Sequence, residues 1–254
     1  MGAGHAHPLY RHGHSPIHRL PPQVKIVAAF GTVIAVVATP REAFWAFGVY
    51  AALLAIVVAL ARIPPGWLAG RVLIEAPFVL LAVALPLLEG GRQVEWFGLS
   101  LSVSGLYGAW NILIKGTLGV ITSLTLAATT SGRELLFGLE RLRMPSLLVQ
   151  IATFMIRYID VIAGHAKQMR IARMSRCHDP RFLWQAKAFA MSVGTLFLRS
   201  FERGERVYVA MLSRGYTGTL PVIDDRPVAA AQWAAALALP VAAAAVTVTA
   251  WLLR

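Results

Sequence analysis

Five of the seven histidines stand in the first 18 residues: His5, His7, His12, His14 and His18, with two His-x-His pairs among them. Neutral imidazoles suit cobalt, nickel or zinc. The plainer account is a polar, histidine-rich tail that takes up metal weakly, since nothing in the segment imposes a fixed geometry. A second chemistry is written twice further on. Ala172-Arg173-Met174-Ser175-Arg176 returns 38 residues later as Ala210-Met211-Leu212-Ser213-Arg214, both reading Ala-x-x-Ser-Arg. An arginine so placed can make a bidentate, charge-assisted contact with carboxylates or helix-end carbonyls of another protein. The competing account is a solubilising cation near a helix C-terminus, which the helix dipole favours by about 0.3–1 kcal/mol. Gly215 after Arg214 suits the position just past a helix. Third, Lys115 sits in an apolar run beside Asn111. An intramembrane charge marks a functional site or a buried pairing, and the pairing adopted here is structural, with Glu75 as partner.

Several chemistries are missing. No Gly-x-x-x-x-Gly-Lys-Ser/Thr loop is present to cradle ATP phosphates. The apolar segments carry no Ser/His/Asp order, zinc-protease helix motif or close carboxylate pair. The expectation is therefore no catalytic residue, no resident metal site and no cofactor, so the chain is not itself an enzyme.

These residues are carried by a chain of 254 residues that is 57% hydrophobic and only 14% charged. Soluble domains run nearer 45–50% apolar and about 25% charged. The apolar residues form blocks of the length a bilayer requires, about 20 residues. The fold class is all-α, a polytopic membrane protein with about five transmembrane helices and a cytoplasmic layer of amphipathic coupling helices. After a polar tail over 1–23, spans are expected at 24–38, 42–61, 72–88, 106–128 and 231–253. Pro77 and Pro86 interrupt the third. Residues 129–228 form the inserted layer. A Ser-x-x-Glu capping box at Ser131 and Glu134 starts its first helix, which stops before Pro145. From Ser146 to Arg176, apolar residues recur at helical spacing opposite Gln150, Arg157, Asp160, Lys167 and Arg170. A weaker repeat runs from Phe182 to Arg214.

The net charge of +12 follows from basic loops retained on the cytoplasmic side and does not call for nucleic acid. Residues 129–228 hold 15 Lys/Arg against eight Asp/Glu. This places the layer and the N-terminus inside and the C-terminus outside the cell membrane. The single cysteine, Cys177, excludes an intrachain disulfide.

Four stretches resemble one family. Pro22-Gln23-Val24-Lys25 opens the similarity, and Leu139-Glu140-Arg141-Leu142-Arg143-Met144-Pro145 continues it. Arg157-Tyr158-Ile159 is similar to an Arg-Tyr-Ile signature. The run from Ser200-Phe201-Glu202-Arg203 through Ser213-Arg214-Gly215-Tyr216 is the most specific. The chain resembles the transmembrane component of energy-coupling-factor (ECF) transporters, in its cobalt-type, CbiQ-like branch. The resemblance implies two Ala-Arg-Gly-type triplets at the ends of coupling helices, whose arginines enter grooves of two ATPase subunits. Carried over, these are Ser175-Arg176-Cys177 and Ser213-Arg214-Gly215. Serine replaces alanine in both, and Cys177 replaces a glycine. His165 stands where an acidic residue is common, so it inherits no role. The resemblance also implies a separate membrane subunit that binds the substrate, surrounding lipid, and cobalt or nickel as cargo. The alternatives are a self-contained secondary transporter with Lys115 and Glu75 lining its path, and a family member serving a vitamin.

Overall fold

The computed structural model describes residues 9–88, 93–96, 99–176, 186–218 and 228–253. The chain divides into two units, one of Leu9–Leu142 with Pro227–Arg254 and one containing Arg143–Arg226. The first holds α1 (Pro22–Ala38), α2 (Phe44–Leu60), α3 (Pro65–Val72), α4 (Ala76–Leu88), α5 (Val103–Thr129), α6 (Gly132–Arg141) and α9 (Ala230–Leu252). The second holds α7 (Ser146–Met174) and α8 (Ala186–Leu212). The protein is an all-α polytopic membrane protein, with one small addition. Strands β1 (Gln93–Trp96) and β2 (Leu99–Ser102) pair antiparallel between α4 and α5.

By length and apolar composition, α5, α7 and α9 can each cross a bilayer, and α3 with α4 passes only as a pair bent by 58°. The expected third span is thus broken, but not at its prolines. The break is a short 3-10 turn, Leu73–Glu75, ahead of Pro77. Pro77 falls at the second position of α4, where its missing N–H has no helical partner to lose. Helices α1 and α2 are 17 residues each, the short limit for crossing the hydrocarbon core. In α7, Lys167, Arg170 and Arg173 confine the apolar stretch to its first two-thirds.

Lipid gives helices no hydrophobic reason to associate, so close backbone approach and buried polar contacts hold a bundle together. Both are present. A Cβ at Gly31 of α1 would stand 2.9 Å from the Pro240 ring of α9, and one at Gly105 of α5 would stand 2.7 Å from the Pro86 backbone of α4. Tyr50 of α2 meets Thr39 at 2.8 Å and Thr247 of α9 at 2.9 Å.

The end of α1 shows why these groups are needed. Its last carbonyls lack helical partners along their own helix. Each finds another donor: Thr247 Oγ1 reaches Ala35 O at 3.0 Å, Lys115 Nζ reaches Val37 O and Thr39 O at 2.8 Å each, and Trp251 Nε1 reaches Ala38 O at 3.0 Å. At the other end of this antiparallel pair the roles reverse. Lys25 of α1 is 7% exposed and donates to Thr129 O of α5 at 2.8 Å. Each helix supplies the lysine that caps its neighbour's C-terminus, where a cation is favoured.

The first unit also extends beyond the expected boundaries. The capping box forms, with Ser131 N donating to Glu134 Oε2 at 2.8 Å. The helix it starts, α6, joins the first unit rather than the inserted layer. A Cβ at Gly138 would meet Ile26 Cδ1 of α1 at 2.8 Å. The described part of the N-terminal segment is not a free tail. Arg11 N donates to Ala128 O at 3.0 Å, and Ile17 packs on a cluster of Ala61, Ile63, Leu68 and Ala128. His18 Nε2 lies 3.1 Å from Arg11 O, and its Nδ1 lies 2.6 Å from the buried Ser15 hydroxyl.

Candidate functional site

The second unit is an antiparallel helix pair, and three contacts fix its direction. Gln150 near the start of α7 donates to Gly218 O at 2.9 Å, beyond the end of α8, and accepts from the Tyr216 hydroxyl. Arg203 Nη2 lies 3.1 Å from His165 Nε2 midway. Arg173 near the end of α7 lies over the Phe189 ring near the start of α8, 5.4 Å from its centroid. Gln150 was expected on the outer polar face. It is instead only 7% exposed, because the segment after α8 folds back to satisfy both ends of its amide.

The two Ser-Arg phrases close their helices in the same way. Ser175 N donates to Ile171 O and Arg176 N to Arg173 O, each at 3.0 Å; Ser213 N donates to Val209 O and Arg214 N to Met211 O, each at 3.0 Å. In both, the serine hydroxyl turns back to an upstream carbonyl of its own helix, Ala172 O at 3.1 Å and Val209 O at 3.0 Å. The second copy is complete. Gly215 has φ +82, its N–H donates to Leu212 O, and Tyr216 N–H donates to Met211 O. That is a Schellman closure with Arg214 on the last half-helical residue. Such a closure satisfies the final carbonyls internally and leaves the side chain free to project. Cys177, which stands where the second copy has Gly215, lies outside the described residues. Arg176 and Arg214 are both exposed.

Direction and closure together place the arginines apart. Arg176 follows the end of α7, near the start of α8, while Arg214 follows the end of α8, near the start of α7. With 27 residues in α8 and a rise of about 1.5 Å per residue, the separation is on the order of 40 Å. The unit presents two similar cationic ends and cannot bring both to one point.

The other candidates fall elsewhere. Lys115 caps α1 and is not paired with Glu75. Glu75 is 4% exposed and accepts from Thr117 Oγ1 at 2.9 Å. Of the N-terminal histidines, His5 and His7 lie outside the described residues, and His18 is engaged by Ser15 and Arg11. Among the described residues no group of three His, Cys, Asp or Glu is placed to hold a metal. Sequence reasoning missed Tyr216 and Gly218 as the partners of Gln150. The positive-φ glycine, φ +101 at Gly218, is the signal that the chain turns there.

Residues 13–223 match the family model described as cobalt transport protein, CbiQ. The chain is 28% identical over 179 residues to the cobalt transport protein CbiQ of Rhodobacter capsulatus, covering 70% of this chain and 71% of that one. It is 25% identical over 222 residues to the energy-coupling factor transporter transmembrane protein EcfT of Acidaminococcus fermentans, 82% of each. It is also 27% identical over 150 residues to a putative fused cobalt transport protein CbiMQ of Methanocorpusculum labreanum, 57% of this chain and 25% of that one.

Proposed function

The chain belongs to the CbiQ family of cobalt transport proteins, and from that premise we propose that it is the scaffold of an ATP-driven uptake complex for cobalt or nickel. As an ECF transporter membrane subunit, it would join two ATP-binding cassette ATPases to a membrane subunit that binds the substrate. Its own residues would hydrolyse nothing and hold no metal tightly.

The observation that carries this reading is the pair of similarly closed helix ends, Arg176 and Arg214, set at opposite ends of one antiparallel pair. One partner of small extent cannot engage both. Two similar partners can, one at each end, with Ser175, Cys177, Ser213 and Gly215 flanking the gripping arginines. The proposed topology has α1, α2, the bent α3–α4 pair, α5 and α9 as five spans. Although α7 is long and apolar enough to cross, the proposed topology puts it, α8 and the N-terminus in the cytoplasm, in keeping with Lys167, Arg170 and Arg173 on α7, and the C-terminus outside. When ATP draws the two ATPases together, the helix ends held in their grooves must move. That displacement would pass through the apolar faces of residues 148–169 and 193–211 to the substrate subunit, a rearrangement of packed elements rather than a chemical step.

The cargo is assigned to metal because the matched family and two of the relatives are named for cobalt transport. A secondary transporter that uses Lys115 and Glu75 as its path loses its footing, since the two residues have separate structural partners. The deciding experiment is uptake by the reconstituted complex. Arg176→Glu with Arg214→Glu is expected to abolish ATP-dependent metal uptake and co-purification of the ATPases, with membrane insertion unchanged. Normal transport by that double variant refutes the proposal.

A further inference from the structure

The seam between α7 and α8 has two unlike flanks. One is an apolar groove of about 440 Å³, lined by residues such as Met155, Tyr158, Val207 and Met211. The other is a cavity of about 120 Å³ walled by His165, Arg199, Glu202, Arg203 and Arg206. Arginines at 199, 203 and 206 follow the i, i+4 and i+3 steps that set side chains on one face of a helix. Glu202 offsets one of these three charges, and among the described residues no ion pair engages Arg199 or Arg206.

Arg203 is also oriented. Its Nη2 lies 3.1 Å from His165 Nε2. A guanidinium can only donate, so Nε2 accepts and the imidazole is neutral with its proton on Nδ1. A neutral partner aims the guanidinium without cancelling its charge. The cavity has room for one tetrahedral oxyanion, given about 30 Å³ for each water in the liquid. Guanidiniums match that shape through paired N–H donors.

We propose that the cleft of Arg199, Arg203, Arg206 and His165 binds a phosphate group, carried by an anionic phospholipid or by a soluble phosphate compound. The site uses neither Arg176 nor Arg214, so it stands or falls independently of the transport reading.

Native mass spectrometry of the full chain in neutral detergent tests it, with phosphatidylglycerol, ADP and phosphate-free diacylglycerol as probes. The wild type is expected to retain one phosphate-bearing molecule. Arg199→Gln with Arg206→Gln should retain about tenfold less, as the loss of charge-assisted contacts requires. His165→Glu should match that loss, because it sets a carboxylate against Arg203 and keeps the contact between the helices. Diacylglycerol should not distinguish the three proteins. Retention of phosphatidylglycerol alone assigns the lipid source, and retention of ADP alone assigns the soluble one. Equal retention of both phosphate probes by wild type and variants, or retention of neither, overturns the proposal.

Discussion

His18 is held through both ring nitrogens: its Nε2–H donates to Arg11 O, and its Nδ1 lies 2.6 Å from the Ser15 hydroxyl. Burial lowers its pKa below the usual 6.5, and the Lys25 charge lowers it further; the Arg11 carbonyl and Glu134 oppose the shift. A lowered value in the folded chain means that folding favours the neutral ring. The contribution is complete above the unfolded pKa and is lost as pH falls through the folded value. Hydrogen exchange at the Arg11 amide, which bonds Ala128 O, should show this directly. Its protection factor is expected to fall as the pH drops below the usual imidazole value of 6.5, and to stay flat in His18→Gln. Equal slopes in both proteins exclude the mechanism. The neighbouring Gly13 takes part in the same clasp, because a Cβ there would meet the His18 ring at 2.9 Å.

Among the elements, a glycine inside α8 and one just past its end have opposite roles. Gly204 lies inside the helix with nothing within 4 Å of an added Cβ, whereas Gly215 closes it at φ +82. Gly204→Ala should stabilise the unit by about 0.5–1 kcal/mol through helix propensity. Gly215→Ala should destabilise it by about 1–2 kcal/mol through left-handed strain, and it should also turn Arg214 away from its present direction. Thermal unfolding of the two variants is expected to move the midpoint in opposite directions. The same elements show what the sequence could disclose. The box at Ser131 and Glu134 was legible because both partners lie within four residues. So was the glycine after Arg214, because a helix end has a local signature. The partner of Lys115 was not legible: it lies 78 residues away, and nothing near Lys115 distinguishes a helix-end carbonyl from the Glu75 carboxylate. Gln150 was misplaced for a related reason. Periodicity reports which residues are polar, but not that Tyr216 and Gly218 return to cover one of them. The kink at Leu73–Glu75 was displaced because proline marks where a helix may restart as readily as where it breaks.

For the molecule as a whole, the antiparallel pair fixes a distance that any mechanism must respect. Spin labels at Ser175→Cys and Ser213→Cys, in a Cys177→Ser background, should report a separation on the order of 40 Å. A distance below about 20 Å would mean that both arginines reach a single partner. The family was legible from the stretches at 139–145, 157–159 and 200–216, and the all-α membrane class from composition. The division at Leu142 was not, because α6 joins the membrane helices through the close approach of Gly138 to α1, a contact between distant segments. The reciprocal lysines carry a consequence for biosynthesis. Chain synthesis runs from α1 to α5, so the C-terminal carbonyls of α1 are made 76 residues before the Lys115 that serves Thr39 O. Lys25 likewise waits 104 residues for Thr129 O. Until α5 arrives, the first helix carries an ungrouped amine at one end and bare acceptors at the other, a poor solute for lipid. The packing of the first helix is therefore completed only by residues made much later, Lys115 on α5 and then Thr247 and Trp251 on α9, so a chain that stops before α9 leaves acceptors at the end of α1 unserved.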